Sequence, residues 1–85
     1  MSKLRAPSVH LNGTSRSALV AQYEAAAQGL RAALEGLVEA SPNGRDYYVQ
    51  GDGAFEEARR EHYSRVERVR AVLDEIEALH AEVAS

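Results

Sequence analysis

A break of thirteen residues, Ser41 to Gly53, separates two stretches of the chain that each have the periodicity of an amphipathic helix. The break contains Pro42 and the pair Asn43-Gly44, which end helices and favour turns. Antiparallel helices are usually joined by about 2–8 residues, and a longer connection without secondary structure is typically functional or disordered. Adjacent tyrosines, a valine and an arginine are not the composition of a disordered linker. We therefore expect a loop with a role of its own.

An arm of residues 1–14 precedes the first helical stretch, in which apolar residues recur at alternating steps of four and three. This spacing predicts an amphipathic helix over residues 16–40. Its apolar seam consists of Leu19, Tyr23, Ala26, Leu30, Ala33 and Leu37, and it is widened by Val20, Ala27, Leu34 and Val38. A side-chain oxygen of Thr14 or Ser15 can cap the first turn by accepting a hydrogen bond from a free backbone amide.

The second helical stretch follows the break and predicts a helix over residues 54–84, capped by Asp52 or Gly53. Its seam consists of Phe55, His62, Val66, Val69, Leu73, Ile76, His80 and Val83, with Ala58 or Arg59 in the step between the first two. Two long amphipathic helices joined by one loop predict an all-α fold, an antiparallel helical hairpin that occupies residues 15–85.

The apolar stripes of both helices are wider than one hairpin can enclose, so we expect hairpins to assemble into a homo-oligomeric helical bundle, a dimer or larger. A chain of 85 residues without cysteine needs such help, because a core of that size supplies only a few kcal/mol. Acidic residues also crowd the C-terminal half of helix two, where the helix dipole disfavours them.

Positive charge opposite these acids can come from a second copy of helix two that runs antiparallel to the first, or from the arm with Lys3 and Arg5. In the first arrangement the facing residues are Asp74, Glu75 and Glu77 on one copy and Arg59, Arg65 and Arg68 on the other. Such pairs favour one register of the two helices more than they add stability.

Ten basic and thirteen acidic residues give a net charge of −3, which argues against binding to a nucleic-acid polymer, because phosphate neutralisation needs clustered basic residues. No apolar run reaches the roughly 18 residues of a membrane span, and no apolar signal-peptide segment follows Met1. The absence of cysteine fits a reducing compartment. These features predict a soluble cytoplasmic protein with no membrane partner.

Catalytic and metal sites find little support in the sequence. The chain has no cysteine nucleophile and no Gly-x-Ser-x-Gly motif. Glu77 and His80 match the Glu-x-x-His motif of di-metal helical bundles, but the second such motif and the inward-facing glutamates of that site are missing. We therefore predict that the protein is not an enzyme and has neither a metal site nor a cofactor.

The best candidate for a binding site combines the loop with the start of helix two. Tyrosine rings can stack on a nucleobase, and arginine binds phosphate through two parallel hydrogen bonds. The predicted ligand-binding residues are Arg45, Tyr47, Tyr48, Gln50, Arg59, Arg60, His62 and Tyr63.

An alternative interpretation assigns the same residues to packing. The two tyrosines of the loop, with Val49, then plug the open end of the bundle, and Arg45 pairs with Asp46 or Glu56. His62 is then a hydrogen-bonded histidine at the polar end of the bundle.

The loop and its flanks contain Asn43-Gly44-Arg45-Asp46-Tyr47-Tyr48, then Gln50-Gly51 and Ala54, together with the opening Leu11-Asn12-Gly13-Thr14-Ser15. With these residues the chain resembles a family of small phage and prophage proteins. The resemblance covers most of the chain and implies the cytoplasm of a bacterial host, but it carries no established activity.

In size and helical architecture the chain is also similar to phage anti-defence sponge proteins, which sequester nucleotide signals of bacterial immunity between protomers. This similarity implies a homo-oligomer that sequesters a small anionic nucleotide without turnover. The alternative is a structural or assembly protein of the phage particle, or a protein that binds a host protein through its loop and the oligomer surface.

Overall fold

The structure is a computed structural model that describes residues 4–85, so that residues 1–3, with Lys3, lie outside the described residues. The chain forms two long helices, α1 (Arg16–Glu39) and α2 (Ala54–Ala84). These helices pack against each other, and the described residues contain no β-strand. The molecule measures 61 × 25 × 17 Å. The predicted all-α hairpin is therefore confirmed.

Ion pairs between the two helices show that they run antiparallel. Arg31 Nη2 lies 2.9 Å from Glu77 Oε2, and its Nη1 lies 3.6 Å from Glu24 Oε1. Glu24 Oε2 in turn lies 3.6 Å from His80 Nε2. The hydrogen bond to Glu77, helped by the charges of both glutamates, raises the pKa of Arg31. Glu77, which we expected opposite a second copy's arginines, thus has a partner in its own chain.

The core side of α1 differs from the predicted seam by a small rotation of the helix. Ala27 is only 1 % exposed, whereas Ala26 and Ala33 of the predicted seam are exposed to solvent. Leu34, predicted at the edge of the seam, is half-buried. The reason is that α2 packs on the side of α1 where Leu34 lies, a residue with a larger apolar side chain than Ala26 or Ala33. The ion pairs between the helices lie on this side too.

The core side of α2 follows its predicted seam more closely. The buried residues of this helix are Ala58, His62, Leu73 and Val83. The position between Phe55 and His62 in the seam, for which the sequence offered Ala58 or Arg59, is therefore occupied by Ala58. Each step of three or four residues returns the chain to the same side of the helix.

The N-terminus of α1 is capped by Ser15 rather than by Thr14. Its backbone is extended, and its Oγ accepts a hydrogen bond from the Ala18 amide at 3.2 Å. At the other end, the Ser41 amide donates to the Val38 carbonyl at 3.2 Å, one residue before the proline that prevents the helix from continuing.

Replacing Ser15 by alanine should lower the free energy of unfolding by about 1 kcal/mol, because one amide of the first turn loses its acceptor. For a domain of this size the melting temperature should fall by several degrees, as thermal circular dichroism can measure. Thr14→Ala is the matched control and should change the melting temperature little. An equal fall in both variants would contradict the assignment of the cap.

The connection between the helices contains two 3₁₀ turns, Gly44–Asp46 and Tyr48–Gln50. Asn43 starts the first turn, because its Oδ1 accepts from the Arg45 amide at 3.0 Å. The connection ends at Gly53, whose left-handed backbone (φ 87°) precedes α2 without a side-chain cap. Within residues 4–85, neither helix is long and apolar enough to cross a membrane.

Candidate functional site

A groove of about 670 Å³ lies at the end of the hairpin where α1 stops and α2 starts. It is lined by Ser41, Pro42, Glu56, Arg59, Arg60, His62, Tyr63 and Val66. The lining residues of α2 recur at steps of three and four, so the helix presents them along one side. All four ligand-binding residues that we predicted on helix two are therefore brought to one groove.

The two arginines of the groove differ in what holds them. Arg59 Nη1 donates to Glu56 Oε1 at 2.8 Å, and its guanidinium carbon lies 5.7 Å from the centre of the Phe55 ring. Arg60 forms no ion pair with any of residues 4–85 and is exposed. Arg59 is thus oriented by the protein, while Arg60 has its full hydrogen-bonding capacity for a ligand.

His62 lies at the inner wall of the groove and is only 8 % exposed. Its Nε2 is 2.7 Å from the carbonyl oxygen of Leu37. A carbonyl oxygen can only accept, so Nε2 carries the hydrogen of this bond. His62 therefore joins α2 to the last turn of α1, and only the rest of its ring is left for a ligand. Tyr63, which is 67 % exposed, offers a ring face beside it.

The predicted loop residues do not line the groove. The Tyr47 ring packs on Phe55, with ring centres 6.3 Å apart. Tyr48 is 77 % exposed, and Gln50 is also exposed. The backbone amide of Gln50 donates to the Tyr47 carbonyl at 2.9 Å. Arg45 is exposed and, within residues 4–85, has no ion pair. The structure thus separates the predicted site into a groove and a neighbouring loop.

The alternative interpretation as a packed plug fits only part of the loop. Tyr47 is half-buried, as a plug requires. Tyr48 and Val49 are instead 77 % and 75 % exposed. Glu56, one of the two acids that we considered as partners for Arg45, pairs with Arg59. The exposed part of the loop is therefore free to contact something outside this chain.

Some residues of the groove were missed by the sequence analysis. Glu56 precedes Arg59 by three residues and Arg60 by four, and Val66 follows Tyr63 by three. Helical spacing alone could therefore have placed Glu56 beside the predicted arginines and Val66 beside Tyr63. Ser41 and Pro42 reach the groove only because the chain folds back, and no local pattern indicates that.

Two other regions, a second cavity and the Glu77/His80 pair, are weaker candidates for a binding site. A second cavity, of about 610 Å³, lies between the arm and the C-terminal part of α2, and most of its lining is apolar. The Glu-x-x-His pair of α2 is divided between two ion pairs, since Glu77 binds Arg31 and His80 approaches Glu24. No group of three possible metal ligands occurs among residues 4–85.

Comparisons with protein-family models, with curated proteins and with solved structures find no match to this chain. The resemblance to small phage proteins therefore stays a prediction.

Proposed function

We propose that the chain is a non-catalytic binding protein that sequesters a small anionic nucleotide as a homo-oligomer in the cytoplasm of a bacterial host. The observation that supports this proposal is the groove that gathers Arg59, Arg60 and Tyr63 at one end of the hairpin. Its volume, about 670 Å³, is in the range of small-molecule sites. The bacterial host is proposed from the resemblance to small phage proteins. A role of the nucleotide in bacterial immunity is proposed from the similarity in size and architecture to anti-defence sponge proteins.

The side chains of the groove match the parts of a nucleotide. The free guanidinium of Arg60 can bind a phosphate through two hydrogen bonds. The exposed ring of Tyr63 can stack on a base, a contact worth about 1–3 kcal/mol per base. Arg59 stands next to Arg60 and is held by Glu56, so its guanidinium is already oriented before a ligand binds.

The charges of the groove favour an anion. Glu56 offsets Arg59, and Arg60 leaves one positive charge in excess among the charged lining residues, with histidine neutral. The whole chain is acidic, with a net charge of −3. A long polyanion would therefore be repelled by the rest of the surface, whereas a ligand small enough to lie within the groove would meet mainly its arginines.

Binding without turnover is inferred from the same residues. Hydrolysis by a side-chain nucleophile needs a hydroxyl next to a free base. The lining residues include the hydroxyls of Ser41 and Tyr63 and the imidazole of His62. Among residues 4–85 the side-chain hydrogen bond of His62 goes to the Leu37 carbonyl, and neither hydroxyl is hydrogen-bonded to the imidazole. The remaining polar groups are suited to holding charge.

Replacing Arg60 by alanine should weaken nucleotide binding at least tenfold, or about 1.4 kcal/mol, because the free guanidinium is lost. Isothermal titration calorimetry with cyclic dinucleotides, cyclic trinucleotides and ADP-ribose derivatives would measure this loss. Arg68→Ala, an exposed arginine of α2 outside the groove, is the matched control and should bind like the wild type. Arg45→Ala tests whether the loop closes over the bound ligand.

Absence of heat for every nucleotide with the folded wild-type protein would contradict the proposal. Equal losses in the Arg60 and Arg68 variants would also contradict it, because they would indicate non-specific attraction. Conversion of a nucleotide during the titration, detected by chromatography of the mixture, would show that the protein is an enzyme.

A second candidate function is suggested by the exposed apolar pair of the loop. Tyr48 and Val49 are adjacent and both about three-quarters exposed, as in a protein-binding loop. This is the phage-assembly or host-protein alternative. Under it, the double variant Tyr48→Ser, Val49→Ser would lose a co-purifying protein at unchanged melting temperature, and the Arg60 variant would keep it.

A further inference from the structure

The side of α1 that faces away from α2 carries no charge. This outer face includes Ala25, Ala26, Gly29, Ala32, Ala33 and Gly36, all of them exposed in the single hairpin. The charged residues of α1 after its first turn are confined to another side, at steps of seven, four and four from Glu24 to Glu39. Two of them, Glu24 and Arg31, form the ion pairs with α2.

The outer side of α2 is built differently. Its exposed residues include arginines and glutamates all along the helix, from Glu57 through Arg68 to Glu82. A helix side that faces water normally carries such residues, and an uncharged side is normally buried. The two helices of one hairpin therefore differ in what their outer sides are suited to contact.

Two glycines on the outer face of α1 have no role in the single hairpin. Glycine in the interior of a helix is destabilising relative to alanine. A Cβ added at Gly29 or Gly36 would meet nothing within 4 Å, so packing within this chain does not require either glycine. Both lie in line with Ala26 and Ala33 at steps of three and four, the spacing of a helix-helix seam.

The surface area of the chain also indicates a missing partner. Its accessible surface is 6474 Å². A compact monomer of its mass, 9.3 kDa, is expected to expose about 5,000 Å². The excess, about 1,500 Å², is larger than the roughly 800 Å² that each partner buries in a standard interface.

We propose that the outer face of α1 binds the same face of a second copy of this chain. A two-fold contact places a surface on itself, and an uncharged surface meets itself without leaving a charge buried. The outer side of α2 does not have this property, because its arginines and glutamates would be desolvated. Small side chains on both helices allow a close approach of the two backbones, at the short end of the usual 8–10 Å between axes.

This dimer specifies the arrangement of the homo-oligomer in the proposed function. The dimer does not depend on the binding of a nucleotide. The two copies of α1 lie at the centre and the two copies of α2 at the outside. The antiparallel pairing of helix two, which the charge pattern of the sequence suggested, is therefore replaced as the main interface. The nucleotide groove, lined mainly by α2 residues, stays open, so each chain should bind one nucleotide independently.

The first test is the mass of the Ala33→Arg variant in solution, measured by sedimentation equilibrium. The wild type should have twice the chain mass of 9.3 kDa, and the variant should dissociate at least tenfold more readily because a charge enters the contact. Ala71→Arg, at an exposed alanine of α2, is the matched control and should stay dimeric. A monomeric wild type, or a dimer that survives Ala33→Arg, would overturn the proposal.

The second test uses the absence of native cysteine, which makes a single introduced cysteine a clean probe. Ala26 lies near the middle of α1, so two copies should form a disulfide in the Ala26→Cys variant whether the helices run parallel or antiparallel. Ser64→Cys, at an exposed position of α2, should stay reduced under the same mild oxidation. Crosslinking through Ser64→Cys alone would overturn the proposal and restore pairing through α2. Isothermal titration calorimetry on the same samples measures nucleotide binding separately from dimer formation.

Discussion

The Leu73→Ala variant should be about 2–5 kcal/mol less stable than the wild type, the range for a leucine truncated in a core. Leu73 is 7 % exposed, and the buried apolar residues of the described chain are few: Leu19, Ala27, Ala58, Leu73 and Val83. The free energy of unfolding of a domain of this size is only a few kcal/mol in total. We therefore expect a large part of the protein to be unfolded at room temperature, which urea titration followed by circular dichroism would show.

The neighbouring residue provides the control for this prediction. Val72 is 45 % exposed, so Val72→Ala should cost less than about 1 kcal/mol at the same protein concentration. The two variants differ by one step along the helix, which is about 100° of rotation. Equal losses would mean that α2 is rotated relative to the packing described above, and a larger loss for Val72 would contradict it outright.

The hairpin itself could be predicted from the sequence because its signals are local. Steps of three and four define both helices, Ser15 supplies a capping hydroxyl, and Pro42 ends α1. Each of these acts within one or two turns of the residue concerned. Local signals of this kind are available in a single sequence without knowledge of the partner helix.

The rotation of α1 could not be predicted in the same way. Ala26 and Ala27 are identical in chemistry, and either can belong to a seam. The choice between them depends on α2, whose Glu77 lies 2.9 Å from Arg31 across the hairpin. That contact joins residues 46 positions apart, and no periodicity within α1 contains it.

The candidate site was predictable for α2 and not for the loop. Arg59, Arg60 and Tyr63 share one side of a helix, so their spacing alone brings them together. The direction of the loop depends on the turn that Asn43 caps and on the packing of Tyr47 against Phe55. Composition indicated that the loop is ordered, but it did not indicate that its exposed part would lie outside the groove.

Replacing His62 by leucine should cost about 2–3 kcal/mol although the leucine is apolar and of similar size. The reason is the carbonyl of Leu37, which lies in the last turn of α1, where helix carbonyls lack a backbone partner. The Ser41 amide, which would be that partner in a longer helix, donates to Val38 instead. Without the His62 Nε2 at 2.7 Å, the carbonyl is left unsatisfied beside a buried side chain.

His62→Gln distinguishes this hydrogen bond from packing, because its side-chain amide can donate where the imidazole does. Urea titration should show that glutamine recovers part of the stability that leucine loses, and equal stability of the two variants would contradict a structural role for the hydrogen bond. The glutamine variant also separates the two roles of His62. If it stays folded and binds nucleotide like the wild type, His62 supports the groove by holding α1 to α2. If it stays folded and loses the nucleotide, the imidazole itself contacts the ligand, as the sequence predicted.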